Sequence, residues 1–243
     1  MMEVVLFQVA VDGRVDRVNL EPDVTESKKI EFKIKYLSIT MDVTQVYLSR
    51  THLLDILKDQ GYNVSNYDHY NLSMIGSMMD NKRLDLQLTH TSGKQVFIKY
   101  HLDTKLVIPT VTCSLFDEVD GEPPILKKSD DLIIIAKSDP NDTMIADMNK
   151  LWNDSSIYVS VINIKRLQFN ILKHAIVPKH VLLTDEERTA FFQKYHIQSN
   201  ADLPTISRYD AVAQVLCMRP GMVCRIHRKS KTAVTTLYYR VCV

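Results

Sequence analysis

Two groups of residues in this 243-residue chain have types and spacing that could do chemistry. The first is Asp85 with Lys99. One widespread α/β arrangement cleaves phosphodiesters with an Asp on one strand and, on its neighbour, a second carboxylate two residues from a Lys. The carboxylates hold Mg²⁺ and the Lys orients the attacking water. Here the residue two before Lys99 is Phe97, and a phenyl ring does not ligate a hard cation. Half of that metal site is missing, so a metal-dependent nuclease is the alternative reading and not the preferred one. The second group is Arg225, Arg228, Lys229 and Lys231. With no interleaved aromatics and no groove-entering helix, such a cluster meets either phosphates or the carboxylates of a docking partner, which suit arginine forks equally. Docking is preferred, and each arginine taken singly reads as a solvated charge.

Other reactive side chains are dispersed. Cys113, Cys217, Cys224 and Cys242 form no Cys-x-x-Cys pair, and the eight histidines show no ligand spacing. A reduced compartment is expected, with no metal and no cofactor. His174 and His180 flank a Val-Pro turn and read as structural. Tyr238 and Tyr239 fall on opposite faces of a strand, so one of them belongs to a core, as does the lone Trp152.

The formal charge of +1 conceals an imbalance. Residues 165–243 carry thirteen Lys/Arg against five Asp/Glu, whereas residues 1–164 carry seventeen against twenty-four. Such asymmetry implies different tasks for the two parts and an acidic or polyanionic partner for the basic one. The longest apolar runs, 4–7 and 132–136, fall far short of the roughly 18 residues that span a bilayer. Met1-Met2-Glu3 lacks a secretory signal's basic start, so an intracellular chain without membrane contact or small-molecule substrate is expected.

Residues 1–48 read as strands. Asp12-Gly13 between Val9, Val11 and Val15, Val18 is a hairpin signal, and Ile30, Phe32, Ile34 and Tyr36 alternate as a second strand. A helix is expected from Ser49 to Gln60, burying Leu53, Leu54, Ile56 and Leu57 and stopped by Gly61. Leu84, Leu86 and Leu88, a Ser92-Gly93 turn and residues 96–100 predict paired strands. An acidic loop spans 117–131. Residues 132–136 and 157–161 have the continuous apolar character of buried strands, with a helix over 142–152 between them. This alternation predicts an α/β layer over 49–164. Further on, Thr184-Asp185-Glu186-Glu187 fits a capping box for a helix to Tyr195. Asp210 caps a short helix ending near Cys217. Pro220-Gly221 turns into a strand at 222–227, then a basic loop at 228–232 and a last strand at 235–243. Residues 165–243 thus form a small α+β unit with a core just large enough to fold alone.

This last unit resembles a known family along its whole length. The residues that carry the likeness are Asn170-Ile171 with His174, Val177-Pro178-Lys179-His180-Val181, the capped helix, Leu203-Pro204-Thr205-Ile206, and Asp210-Ala211-Val212-Ala213. Arg219-Pro220-Gly221-Met222-Val223, Arg225-Ile226-His227-Arg228-Lys229-Ser230-Lys231-Thr232-Ala233 and Tyr239-Arg240-Val241 complete it. They are similar to the assembly domain of the shared fifth subunit of eukaryotic DNA-directed RNA polymerases I, II and III and of its archaeal counterpart. The family has Pro at Ala211, Gly at Cys217, an acid at Lys231 and Gly at Val234. The changed Pro and glycines put local turn geometry in question.

Residues 49–164 resemble, more weakly, the eukaryotic N-terminal jaw domain, an α/β layer like that of restriction endonucleases. Gln60-Gly61-Tyr62, Arg83-Leu84-Asp85-Leu86 and Pro140 carry that likeness. Prolines expected at His101 and Thr104 are absent while Lys105 is kept. Residues 1–48 match nothing in the family and read as a β-rich accessory extension. The resemblance implies a non-catalytic polymerase subunit in transcription, docked on the largest subunit and in contact with other core subunits. The docking set it implies is Asp210, Arg219, Gly221, Arg225, Arg228, Lys229, Ser230, Thr232 and Arg240. Lys105 and Pro140 are implied to lie near downstream duplex DNA, met through non-specific contacts. The implied location is the nucleus, or the nucleolus for a polymerase I subunit, or cytoplasm or virion for a virus-encoded copy.

Overall fold

The computed structural model describes residues 6–9, 15–18, 26–67, 69–102, 106–118, 123–230 and 232–243, with side chains from residue 43 onward. Strands β1 (Leu6–Val9) and β2 (Val15–Val18) pair antiparallel, Leu6 opposite Val18, as the alternation around 12–13 predicts. The Asp12-Gly13 turn itself lies outside the described residues.

The second expected strand is a helix. Ile30, Phe32, Ile34 and Tyr36 lie within α1 (Glu26–Asp59), which runs 34 residues without interruption. The four alternating apolar positions match a strand, since at helical spacing 30 and 34 fall on one side and 32 and 36 on nearly the opposite one; the local pattern is overridden by the longer segment. No glycine or proline occurs between 26 and 59, so a helix once nucleated meets no breaker. The boundary expected at 48/49 therefore falls in mid-helix. Ser49 is buried and its hydroxyl donates to the Val46 carbonyl at 2.8 Å instead of starting a helix. Gly61, at φ +95°, ends the helical run, and a Cβ there would press on His90.

Two helices go unforeseen in the residue pattern. Asn71 caps α2 (Leu72–Asp80) through the Met74 amide, and Pro109 sits in the first turn of α3 (Ile108–Phe116), where its missing N–H costs nothing. Between them run β3 (Leu86–Thr89) and β4 (Gln95–His101), paired antiparallel. Then come β5 (Asp131–Ala136), α4 (Asp142–Ser155) and β6 (Tyr158–Asn163), with β4, β5 and β6 parallel. The sheet order is β3-β4-β5-β6. Every residue of β5 and β6 is buried, as continuous apolar runs predict for strands covered on both faces. One face carries Val96, Ile98, Ile133 and Ile135 under α1 and α2; the other carries Leu132, Ile134 and Val161 under α3 and α4.

A second sheet follows, in the order β7-β9-β10-β8. Its parts are β7 (Lys179–Leu182), α5 (Asp185–Tyr195), β8 (Thr205–Ile206), α6 (Ala211–Val215), β9 (Val223–Ser230) and β10 (Val234–Cys242). The capping box is present in full: Thr184 Oγ1 accepts from the Glu187 amide at 3.2 Å and Glu187 accepts from the Thr184 amide at 3.1 Å. The segment 228–230, expected as loop, continues β9, because Thr236 and Thr235 of β10 pair opposite Arg228 and Lys229. Tyr239 stacks on Phe191 at 3.9 Å while Tyr238 stays exposed, so one of the pair is core as expected. Trp152 packs partly buried on the first core. His174 and His180 each make a local turn contact, at 3.3 Å from the Ile176 amide and 2.7 Å from the Pro178 carbonyl.

Candidate functional site

The C-terminal unit is not closed on itself. Val215 and Cys217 pack into the core of the first sheet. The outer edge of β6 is covered by side chains from beyond residue 200: Gln214 donates to the Val161 carbonyl at 2.9 Å and Arg208 to that of Val159 at 3.4 Å. At the start of β5, Arg219 reaches Asp131 Oδ1 through Nε at 3.1 Å and Nη2 at 2.7 Å, and Lys94 pairs with the other carboxylate oxygen. The Asp131 side chain is fully buried, so these cations offset a desolvation that would otherwise be severe.

That geometry divides the expected docking set. Arg219 is committed inside the chain, against Asp131 and the Asp130 carbonyl. Gly221 supplies a turn at φ +89° whose amide donates to the Cys242 carbonyl, and Asp210 caps α6 by accepting from the Val212 amide at 2.9 Å. These three serve the fold. Ser230 and Thr232 shape the tip of the β9–β10 hairpin, where Ser230 Oγ accepts from the Thr232 amide. Arg225 approaches Glu187 only to 3.8 Å. Arg240 donates to the Thr205 carbonyl at 3.1 Å and lies over the Tyr238 ring. Arg228 and Lys229 stand exposed on the hairpin beside Leu237, 48% exposed, and Val234, 81% exposed. Lys231 lies outside the described residues.

The two family glycines replaced here mark real turns. Cys217 and Val234 sit at φ +50° and +56°, so the left-handed geometry survives with side chains that strain it.

Asp85 and Lys99 do meet, at 3.4 Å, and Asp85 also accepts from the Tyr100 amide at 3.0 Å. Phe97 packs half-buried against the apolar cluster under α3 and α4, so an apolar ring occupies the position a second carboxylate would need. The pair is an ion pair at the rim of a cavity of about 630 Å³ at the carboxyl ends of the parallel strands. Lys82, Lys137 and Lys165 line it too, residues that sequence spacing passes over because they come from three separate connections. Burial beside it pushes the Tyr100 hydroxyl up to about 12, against which Ser49 hydrogen-bonds it. Pro140 ends the loop that begins at Lys137 and precedes the Asn141 cap of α4. Lys105 and Thr104 lie outside the described residues. All four cysteines are free thiols, and burial raises Cys217 far above its usual range.

Residues 169–242 match the family model described as RNA polymerase Rpb5, C-terminal domain. The chain is 45% identical over 76 residues to DNA-directed RNA polymerase subunit Rpo5 of Pyrococcus abyssi, covering 31% of this chain and 92% of that one. It is 26% identical over 214 residues to DNA-directed RNA polymerase V subunit 5A of Arabidopsis thaliana, covering 85% and 92%. It is 37% identical over 90 residues to the rpabc1 subunit of DNA-directed RNA polymerases I, II and III of Dictyostelium discoideum, covering 37% and 45%. The signature of the second sheet is thus shared with an archaeal subunit over nearly that subunit's full length, and the chain belongs to the Rpb5 family of accessory, non-catalytic subunits of DNA-directed RNA polymerases.

Proposed function

We propose that the chain docks on the largest polymerase subunit through its second sheet, residues 165–243, while the first sheet forms a jaw beside downstream duplex DNA. The observation that carries docking is the β9–β10 hairpin. Residues 219–243 hold six Lys/Arg and no Asp or Glu, and Arg228 and Lys229 are exposed beside apolar side chains. Exposed cations next to an apolar patch suit a protein partner whose carboxylates they meet at the rim of an interface. Arg225, Arg228, Lys229, Ser230, Thr232 and Arg240 are its contact residues. Full-length protein carrying Arg228→Glu and Lys229→Glu should lose most of its co-purification with the largest subunit, with its thermal midpoint unchanged. Wild-type recovery of that variant rejects the reading.

For the jaw, the supporting feature is the cleft lined by Lys82, Lys99, Lys137 and Lys165, with Asp85 paired to Lys99. It reconciles an acidic first region with a polyanion nearby, because the cations gather at one end of the sheet. Contacts there would be to phosphates, independent of sequence and weakened by salt. Lys82→Ala with Lys165→Ala should reduce cross-linking of this subunit to downstream DNA in assembled polymerase. Undiminished cross-linking removes the cleft from the DNA path. The polymerase subunits of Arabidopsis, Dictyostelium and Caenorhabditis briggsae imply a nuclear location; the nucleolus, cytoplasm or virion are finer options that depend on which polymerase the chain joins.

A further inference from the structure

The two sheets treat their edges differently, and one edge is left open. β8 pairs with β10 only at Val241 and Cys242. Beyond that, the outer edge of β10 from Val234 to Tyr239 has no neighbouring strand among the described residues. Its polar groups can be assigned. Val241 and Val243 donate outward, to the Pro204 and Ile206 carbonyls, while Cys242 donates to Met222 on the inner side. By the two-residue alternation of an antiparallel ladder, Leu237 and Tyr239 direct their amides and carbonyls outward as well. No group among the described residues meets them.

The sequence along this edge does nothing to blunt it. Residues 232–239 read Thr-Ala-Val-Thr-Thr-Leu-Tyr-Tyr, without charge, proline or glycine and rich in strand formers. Free edges are ordinarily interrupted by a lysine, a proline or a bulge, because unpaired backbone groups recruit other strands. The opposite treatment appears at β6, where Gln214 and Arg208 occupy the outward carbonyls.

We propose that an extended acidic segment of another polymerase subunit adds as a strand along the open edge of β10, hydrogen-bonding to Leu237 and Tyr239. On one face of the added strand, apolar side chains meet Leu237 and the ring cluster of Tyr239, Phe191 and Tyr195. On the other, carboxylates meet Arg240 and, across Thr236, Arg228. The absence of any acid in 219–243 selects an acidic occupant and opposes a second copy of this hairpin, which would bring like charges together. Backbone pairing supplies the affinity and alternate side-chain contacts the choice of partner. This proposal rests on the docking reading above and specifies its mode.

The test is amide hydrogen exchange on the full-length chain, free and within assembled polymerase. The amides of Leu237 and Tyr239 should exchange at least about tenfold more slowly in the assembly. Leu237→Pro removes an outward amide without removing a bond to β9, and should lower incorporation while Leu237→Ala, which keeps the amide, lowers it less. If the chain is incorporated but both amides exchange as fast as in the free protein, strand addition is wrong and docking stands. If Arg228→Glu with Lys229→Glu leaves incorporation intact, the docking reading fails with it. Protection of the same amides in the free chain, rising with protein concentration, would assign the edge to a second copy and overturn the acidic-partner proposal. Should Leu237→Pro fail to fold, the wild-type exchange comparison decides alone.

Discussion

The sheet of β3 to β6 is enclosed, with α1 and α2 on one face, α3 and α4 on the other, and the backbone of its last strand covered by Gln214 and Arg208. The sheet of β7 to β10 is enclosed only at its base. There α5 and α6 cover Val223, Cys224 and Val241, whereas the far half of the hairpin stands in solvent with Val234, Leu237 and Tyr238 exposed. Exposed apolar side chains grouped in this way are the kind of surface that a partner buries, and the docking proposed above would cover them. The second sheet supplies the side chains that cover the open edge of the first, whereas the far half of its own hairpin has no such cover among the described residues.

The largest effect should come from the joint between them. Arg219→Ala leaves the buried Asp131 carboxylate with Lys94 alone and should cost about 3 kcal/mol of the chain's own stability, at the low end for a broken buried pair because one cation remains. Chemical denaturation measures it. A variant of unchanged stability that fails only in assembly would return Arg219 to the docking face and blur the contrast between the sheets.

Thr184→Ala removes one arm of the capping box and should cost about 0.5–2 kcal/mol. Its consequence should stay within the second sheet, since α5 packs on Val223 and Val241. Equal loss of exchange protection in β5 would mean that the two sheets unfold as one unit.

Val234→Gly should raise stability by about 0.5–1 kcal/mol. Relief of a left-handed β-branched residue, about 1–2 kcal/mol, exceeds the entropy a glycine adds to the unfolded chain. Cys217→Gly relieves similar strain but empties a buried position, so its melting temperature should move little. If both substitutions stabilise alike, burial at the joint matters less than the enclosed sheet implies.

The smallest effect is a change in pH dependence. Hydrogen bonding to Lys173 holds the Asp55 carboxyl below its usual range, tying α1 to the turn after residue 170. A depressed carboxylate stabilises the fold above its unfolded value, near 3.9, and that contribution is lost as pH falls through the lower folded value. Lys173→Ala should therefore flatten the acid limb of the stability curve below about pH 5, and only slightly, because the pair is solvent-screened. An unaltered limb would show the contact to be ornamental.

Much of this is legible in the residues. The continuous apolar runs at 132–136 and 157–161 announce buried strands, Thr184 with Glu187 announces a helix start, and the motifs of the second sheet announce the family. These signals are local, since a cap needs only four residues and a two-sided strand needs no polar face. The helix through residues 30–36 reads as a strand because four alternating apolar positions match the strand period and not the helical one, and only the unbroken run to Asp59 overrides that local pattern. The lysine-lined cleft is invisible in the sequence, its members being 82, 99, 137 and 165.

Sequence by itself determined which residues form the enclosed strands, where the capped helix begins and which polymerase family the chain joins, because each rests on residue types at short, fixed spacing. Tertiary structure alone decided that Arg219 locks two sheets together, that Cys217 and Val234 hold glycine geometry without glycine, and that the outer edge of β10 from Val234 to Tyr239 has no neighbouring strand among the described residues. Those depend on which distant segments arrive beside a residue, and charge, strain and an unpaired amide acquire their energetic meaning only from what surrounds them.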